Sequence, residues 1–200
     1  MGGSLVFELT AIVVLVLLNG FFALAEFSLI ASRKSRLHQY VKQKKYGAET
    51  ASRLREHPEQ FLASIQVGLT FVASMLGVFS GATIVDKLSD VLQLLPLAVI
   101  REHSASIAVG VVVVGITILA AVVGELVPKY LALSNPERFA RYIAGPTAVF
   151  VKLSFIFSQA LSTVARVVVR LLGIRRAETT DTVSEEEINQ MLIDGRQKGL

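Results

Sequence analysis

The sequence predicts an all-α membrane protein with three transmembrane helices and additional juxtamembrane helices on the cytoplasmic side. The 200-residue chain is 52% hydrophobic and only 18% charged. Its apolar residues form blocks of the roughly 20 residues that a bilayer crossing requires. Three blocks qualify, at about residues 5–31, 61–85 and 107–133. A net charge of +4 does not indicate nucleic acid in such a chain, because cytoplasmic loops of membrane proteins are rich in basic residues.

The first block is interpreted as a retained span and not as a signal peptide. No basic region precedes it, no small-residue cleavage site follows it, and Asn19 and Glu26 interrupt it. The segment "SRKSRLHQYVKQKKYGAETASRLREHPEQ" comes next and is rich in arginine and lysine. Such a segment beside a span is typical of a cytoplasmic loop, so we expect the N-terminus outside the plasma membrane and the C-terminus in the cytoplasm.

The second and third blocks then cross the membrane outwards and back. Residues 86–106 are expected to connect them outside, in a stretch broken by Pro96. Residues of about 136–173 are expected to form juxtamembrane helices that lie in the cytoplasmic interface, or dip into the membrane and return. A fourth span is the alternative, but it would place four arginines outside, against the charge rule: Arg166, Arg170, Arg175 and Arg176.

Residues 1–176 are therefore assigned to a transmembrane domain and residues 177–200 to a connector. In the connector, Ser184 and Glu187 have capping-box spacing before the apolar Ile188. We expect this to be the start of a cytoplasmic helix that leads towards a soluble region absent from this chain.

Polar residues within the spans are candidate functional residues, because ionisable groups are expensive in lipid. Asn19, Ala23 and Glu26 share one face of the first helix, whereas Ser28 points away from Glu26. One stripe of the second helix combines an amide, hydroxyls and small residues, and helix packing alone would explain the small ones: Gln66, Thr70, Ser74, Gly77 and Gly81.

The third block contains a proline that disrupts its own helix. Pro128 has no N–H, and its ring pushes aside the carbonyl four residues earlier, that of Gly124. This oxygen is expected to lie without a helical partner beside Glu125, where a cation could bind it. We therefore predict a metal site at Gly124 and Glu125, with Pro128 producing the kink.

The three helices can bring these groups to one depth. Glu26, Thr70 and Glu125 each lie ~10–20 Å from the cytoplasmic end of their span at 1.5 Å rise per residue. Oxygen ligands favour Mg²⁺ or Ca²⁺, and Na⁺ is also compatible with carbonyls and hydroxyls. All three histidines fall in predicted loops and there is no cysteine, so neither a zinc or haem site nor an intramembrane protease is expected.

Three motifs, in register with the spans, carry a resemblance to a known family. "NGFFALAEFSLIASRKSRL", "IQVGLTFVASMLG" and "GELVPKYLALSNPERFA" resemble the transmembrane (DUF21) domain of the CorC/CNNM family of magnesium transport proteins. The resemblance implies a homodimer in the lipid bilayer that exports Mg²⁺, coupled to Na⁺ entry. It also implies a soluble part with paired CBS domains that bind adenine nucleotide, a region that this chain does not contain.

Carried over by position, the ion site of the family falls on three segments of this chain. They are the segment from Ala23 to Glu26, the segment from Thr70 to Ser74, and Gly124 with Glu125. Relatives carry serine where this chain has Ala23, so the first helix is expected to use Glu26, Asn19 or Ser28 instead.

Two functions from different classes follow from the same residues. The first is a transporter that binds dehydrated Mg²⁺ between its helices and exports it. The alternative is a membrane anchor that senses Mg²⁺ and regulates another transporter without any flux of its own. Neither function is enzymatic.

Overall fold

A computed structural model describes residues 2–79 and 82–171. The regular structure of these residues is entirely helical, as the sequence predicts. The elements are α1 (Gly2–Ala31), α2 (Lys34–Lys42), α3 (Ala48–Glu56), α4 (Pro58–Phe79), α5 (Ala82–Gln93), α6 (Ala98–Glu102), α7 (Ser104–Ala121), a π-helical turn (Val122–Leu126), α8 (Val127–Ser134), α9 (Pro136–Leu153) and α10 (Phe155–Leu171). The predicted connector at 177–200, with Ser184 and Glu187, lies outside the described residues, as does Gly81.

Three helical runs are long and apolar enough to cross a membrane: Leu5–Ala31, Pro58–Gln93 and Ser104–Ser134. The second run comprises α4 and α5, on either side of residues 80–81, which are not described, and α5 extends beyond the predicted end at residue 85. Residues 86–93, predicted to begin the external connection, are therefore helical. Buried Ser89 shows why, because its hydroxyl donates to that of Ser104 at 3.3 Å and α5 packs along α7.

The stretch predicted to be juxtamembrane forms two helices, α9 and α10, with a break at Ser154. The chain bends by 65° there, and the pair would add a fourth crossing only if it were counted as one broken span. The Ser154 hydroxyl donates to the Phe150 carbonyl at 2.9 Å. The position of this pair relative to the bilayer stays a prediction.

The long helix α1 is the centre of the unit formed by Met1–Thr163. It packs against α4, α8, α9 and the π-helical turn. Gly68 of α4 admits the ring of Phe22, since a Cβ at residue 68 would lie 2.7 Å from that ring. The same ring packs on Phe150 of α9, with centroids 4.7 Å apart. One aromatic side chain of α1 therefore joins three helices.

A second set of contacts fixes α9 against the short helices. Gly47, with φ of 70°, starts α3, and a Cβ there would lie 2.0 Å from the Arg141 carbonyl oxygen of α9. Glu137 is buried at the start of α9. It accepts the N–H of Arg33 at 3.4 Å and lies 3.7 Å from the guanidinium of Arg36. These contacts bring α9 beside the end of α4 that begins at Pro58.

Candidate functional site

The π-helical turn lies where the sequence predicts a disrupted helix. The N–H of Val127 bonds to the carbonyl of Val122, five residues earlier, and Pro128 follows in the first turn of α8. A π-helical turn inside an α-helix is frequently found at a functional site. The run from α7 to α8 thus stays helical while its hydrogen-bond register changes at Gly124 and Glu125.

The prediction that the Gly124 oxygen is left bare is wrong. The Asn19 side chain of α1 donates to it, with 2.9 Å between Nδ2 and the oxygen. The contact forms because Gly124 is buried and has no side chain, so that a Cβ there would lie 3.2 Å from Asn19 Nδ2. Gly20, the next residue of α1, also allows the two helices to come close, since a Cβ there would lie 3.1 Å from Pro128 Cγ. A buried carbonyl needs a donor, and the neighbouring helix supplies one.

Glu125 also has a protein partner. Lys129, one helical turn later, forms an ion pair and hydrogen bond with Glu125 Oε1. The Lys129 ammonium lies 4.6 Å from the centroid of the Phe27 ring, a distance at which a cation is attracted to an aromatic face. The Glu125 side chain is 52% exposed, so the carboxylate remains open on its other side.

These groups border one cavity of about 590 Å³, which we call the carboxylate cavity. Helices α1 and α4, the π-helical turn and α8 supply its lining residues: Asn19, Ala23, Glu26, Gln66, Leu69, Thr70, Ala73, Ser74, Glu125 and Lys129. The structure thus brings together five of the seven predicted metal ligands: Asn19, Glu26, Thr70, Ser74 and Glu125.

The other two predicted ligands, Gly124 and Ser28, do not line the carboxylate cavity. Gly124 lies behind Asn19, to which its oxygen is bonded. Ser28 is fully buried, and its hydroxyl donates to the Ala25 carbonyl at 3.3 Å. Ala23 does line the cavity, so a serine at this position would present its hydroxyl there.

The polar stripe of α4 forms one wall of the carboxylate cavity. Gln66 Nε2 donates to Thr70 Oγ1 at 3.4 Å, and Ser74 Oγ donates to the Thr70 carbonyl at 2.9 Å. A hydroxyl that donates its proton within its own helix keeps its oxygen lone pairs for another partner. This wall therefore offers neutral oxygens opposite the carboxylates of α1 and the π-helical turn.

A second, more apolar cavity of about 390 Å³ shares Asn19, Ala73 and Glu125 with the first. Its remaining lining includes Gly77 and Thr117. Gly77 lies near the end of α4 that leads to α5, and Thr117 lies in α7, which follows α6. Asn19 and Glu125 thus stand between a polar chamber and an apolar one.

The donor chemistry of the carboxylate cavity is oxygen-based, with one ammonium. Its charged groups are the two carboxylates, Glu26 and Glu125, and the single cation Lys129. No cluster of three or more His, Cys, Asp or Glu side chains that could hold a metal occurs in the part of the chain that the structure describes. A cation bound here would therefore combine two carboxylates with amide and hydroxyl oxygens.

Sequence reasoning missed two residues that shape the site. Lys129 follows Glu125 by four residues, a spacing that pairs opposite charges on a helix, so the signal was present. Gly20 had no sequence signal of its own, because its role depends on where Pro128 lies in space.

Comparison with known proteins supports the resemblance seen in the motifs. Residues 10–200 match the CNNM family, described as the Cyclin M transmembrane N-terminal domain. The UPF0053 protein sll0260 of Synechocystis is 36% identical over 197 residues, which cover 98% of this chain and 43% of the relative. An uncharacterized protein of Mycobacterium tuberculosis, MT1889, is 32% identical over 198 residues, covering 96% of this chain and 55% of the relative.

A more distant relative is the polyamine export protein of Haemophilus influenzae. It is 26% identical over 194 residues, which cover 95% of this chain and 43% of that protein. The chain thus spans about half the length of the curated relatives that it matches.

Proposed function

Because the chain belongs to the CNNM transmembrane-domain family, we propose that it is the membrane part of a transporter that binds Mg²⁺ in the carboxylate cavity and exports it. The observation that carries the proposal is the convergence of Glu26, Glu125 and the polar stripe of α4 on one cavity between apolar helices. Carboxylates inside a membrane span are expensive, so their presence there indicates a functional site such as an ion pathway.

The ligand set fits a hard, small cation. Mg²⁺ takes oxygen ligands in a near-octahedral arrangement and loses water reluctantly. Five side chains can replace hydration water together. Glu26 and Glu125 would supply carboxylate oxygens, Asn19 its free amide oxygen, and Thr70 and Ser74 their hydroxyls. Gly124 acts indirectly, because its carbonyl holds the Asn19 amide nitrogen and so orients the amide oxygen. Na⁺ could use the same oxygens.

Lys129 competes with a bound cation for the charge of Glu125, because its ammonium pairs with Oε1. Cation entry would therefore weaken this ion pair and favour a movement of the Lys129 side chain. The Phe27 ring offers the ammonium a nearby alternative. The apolar cavity beside Asn19 and Glu125 would form the path of release.

The same proposal includes orientation and assembly. The basic segment after α1 supports an orientation with α2 and α3 in the cytoplasm and the N-terminus outside the plasma membrane. Export would be coupled to Na⁺ entry in a homodimer, with CBS domains in the longer protein. The Na⁺ coupling, the homodimer and the CBS domains are supported by the resemblance to the family alone.

The decisive experiment measures Mg²⁺ flux from purified protein in liposomes. We expect Glu125→Ala to abolish flux while the variant keeps its folded state, checked by thermal unfolding in detergent. Glu49→Ala is the matched control, because it removes an exposed glutamate of α3 whose partner among the described residues is Arg53. Wild-type flux in Glu125→Ala would refute the assignment of the site. Mg²⁺ binding without flux in the wild-type protein would favour the sensor and anchor function instead.

One observation favours a second cargo, an organic polyamine. The carboxylate cavity already accommodates an alkylammonium, that of Lys129, between Glu125 and the Phe27 ring. A polyamine carries the same groups, and the Haemophilus influenzae relative is named as a polyamine exporter. Spermidine and Mg²⁺ should then compete in a binding titration. Flux of labelled spermidine, with none of Mg²⁺, would assign the cavity to polyamines.

A further inference from the structure

A third cavity lies apart from the carboxylate cavity and has the opposite charge. It has a volume of about 610 Å³ and is formed where α3 and the start of α4 meet α9 and the start of α10. We call it the basic cavity, and its lining residues are Arg53, Leu54, His57, Gln60, Phe61, Ala148, Val151, Lys152 and Phe155. The proposed transport function uses none of them.

The polar part of the lining is cationic. It includes the basic side chains of Arg53 and Lys152 and the imidazole of His57, and no acidic residue lines the cavity. Arg53 pairs with Glu49 at 3.1 Å, but both side chains are largely exposed, at 70% and 78%, and such pairs are weak. Lys152 has no carboxylate partner among residues 2–79 and 82–171. The cavity therefore attracts an anion.

The rest of the lining is apolar and continues onto an apolar surface. Leu54, Phe61 and Val151 form the inner wall. Beside the cavity, at the break between α9 and α10, Leu153 is 77% exposed and Ile156 is 78% exposed. Solvent-exposed side chains of this size are unfavourable in water, but they fit the acyl region of a bilayer.

The sequence pattern predicts that the cavity lies at the membrane surface. Phe61 opens the apolar part of α4, which is long enough to cross a bilayer, whereas the residues before Pro58 belong to the basic segment. A cation cluster at the end of a span lies at the depth of lipid headgroups. We propose that the basic cavity binds the headgroup of an anionic glycerophospholipid of the same leaflet, with the phosphate between Arg53 and Lys152 and the acyl chains along the exposed surface at Leu153 and Ile156.

The test uses the full chain in detergent with phosphatidylglycerol or phosphatidylcholine of identical acyl chains, and native mass spectrometry counts the lipid retained. Wild-type protein should retain phosphatidylglycerol selectively. Arg53→Ala with Lys152→Ala should weaken that retention by about tenfold or more, because each basic residue near a lipid surface contributes to the attraction. The matched control, Lys42→Ala with Arg138→Ala, removes two exposed basic residues of α2 and α9 outside the cavity and should retain the lipid as the wild type does.

Each other result has a defined meaning. Equal retention of both lipids, or undiminished retention in the cavity variant, would overturn the proposal. If inorganic phosphate raises the unfolding temperature of the wild type as much as phosphatidylglycerol does, the cavity is an anion site without lipid specificity. A third arm converts Glu178, Asp181 and Glu185 to the corresponding amides. Lipid retention that emerges only in this variant would mean that these acidic residues of the connector compete for the cavity, and the proposal would fail.

Discussion

The carboxylate cavity and the basic cavity are alike in size, about 590 and 610 Å³. They differ in the sign of their charge and in the part of the helices that supplies it. The first receives Glu26 and Glu125 from within apolar helices that are long enough to span a membrane, where an ionised group requires compensation. The second receives Arg53 and Lys152 from the ends of amphipathic helices, where water and headgroups solvate cations. Under the two proposals, charge within a span binds the transported ion, whereas charge at the end of a span binds lipid headgroups.

The comparison predicts that the two cavities respond to separate mutations, and the largest effect is expected at Glu26. Glu26→Gln leaves Glu125 balanced by Lys129, so the cavity no longer has a net negative charge. We expect Mg²⁺ affinity, measured by isothermal titration in detergent, to fall by about 2–3 kcal/mol, or roughly 30- to 150-fold. Arg53→Ala with Lys152→Ala should leave that affinity unchanged. Comparable losses in both variants would show that the cavities are not independent.

The next effect concerns stability and separates the support of the site from its ligands. Among the described residues, Asn19 supplies the side-chain donor to the buried Gly124 carbonyl, and Asn19→Leu removes it. An unsatisfied buried carbonyl should lower the free energy of unfolding by about 1–3 kcal/mol, measured by denaturation in detergent. Thr10→Val is the control, because the Thr10 hydroxyl bonds only within its own helix, to Val6 at 2.7 Å. A variant as stable as the wild type would mean that the carbonyl has another donor.

The outcome at Gly124 shows how far the sequence could predict this site. The sequence predicts the all-α fold, the apolar spans and the site of helix disruption, because apolar block length and proline chemistry are local properties. The convergence of Glu26, Thr70 and Glu125 on one cavity was also foreseen, since their depths follow from helix rise.

What the sequence could not give was the partner of each group across helices. That Asn19 meets Gly124 depends on Gly20 and Gly124 facing each other in the packed structure. The basic cavity was missed for the same reason, because Arg53 and Lys152 are far apart in sequence and meet only when α9 packs beside α3 and α4. Helical geometry alone predicts that Ser28 points away from Glu26. The packing that buries Ser28 could not be predicted in this way.

A smaller effect, of the opposite sign, is expected at Lys129. Lys129→Met keeps the length of the side chain and removes the ammonium that competes for Glu125. Cation affinity should rise by about 1 kcal/mol, roughly fivefold, for Mg²⁺ in the same titration. Lys129→Arg retains the charge and should bind as the wild type does. Weaker binding in Lys129→Met would instead mean that the ammonium supports the site, for example by orienting Glu125.

The smallest effect distinguishes a serine that lines the carboxylate cavity, Ser74, from one that does not, Ser28. Ser74 lines the cavity and keeps its lone pairs free, whereas Ser28 is buried against its own helix. Ser74→Ala removes one neutral oxygen and should weaken Mg²⁺ binding by about 0.5–1 kcal/mol, a factor of roughly two to five. Ser28→Ala removes the same atom from α1 and should leave the affinity unchanged. If Ser28→Ala weakens binding as much as Ser74→Ala does, then α1 must rotate when the ion binds, and the ligands of the bound state differ from the lining seen here.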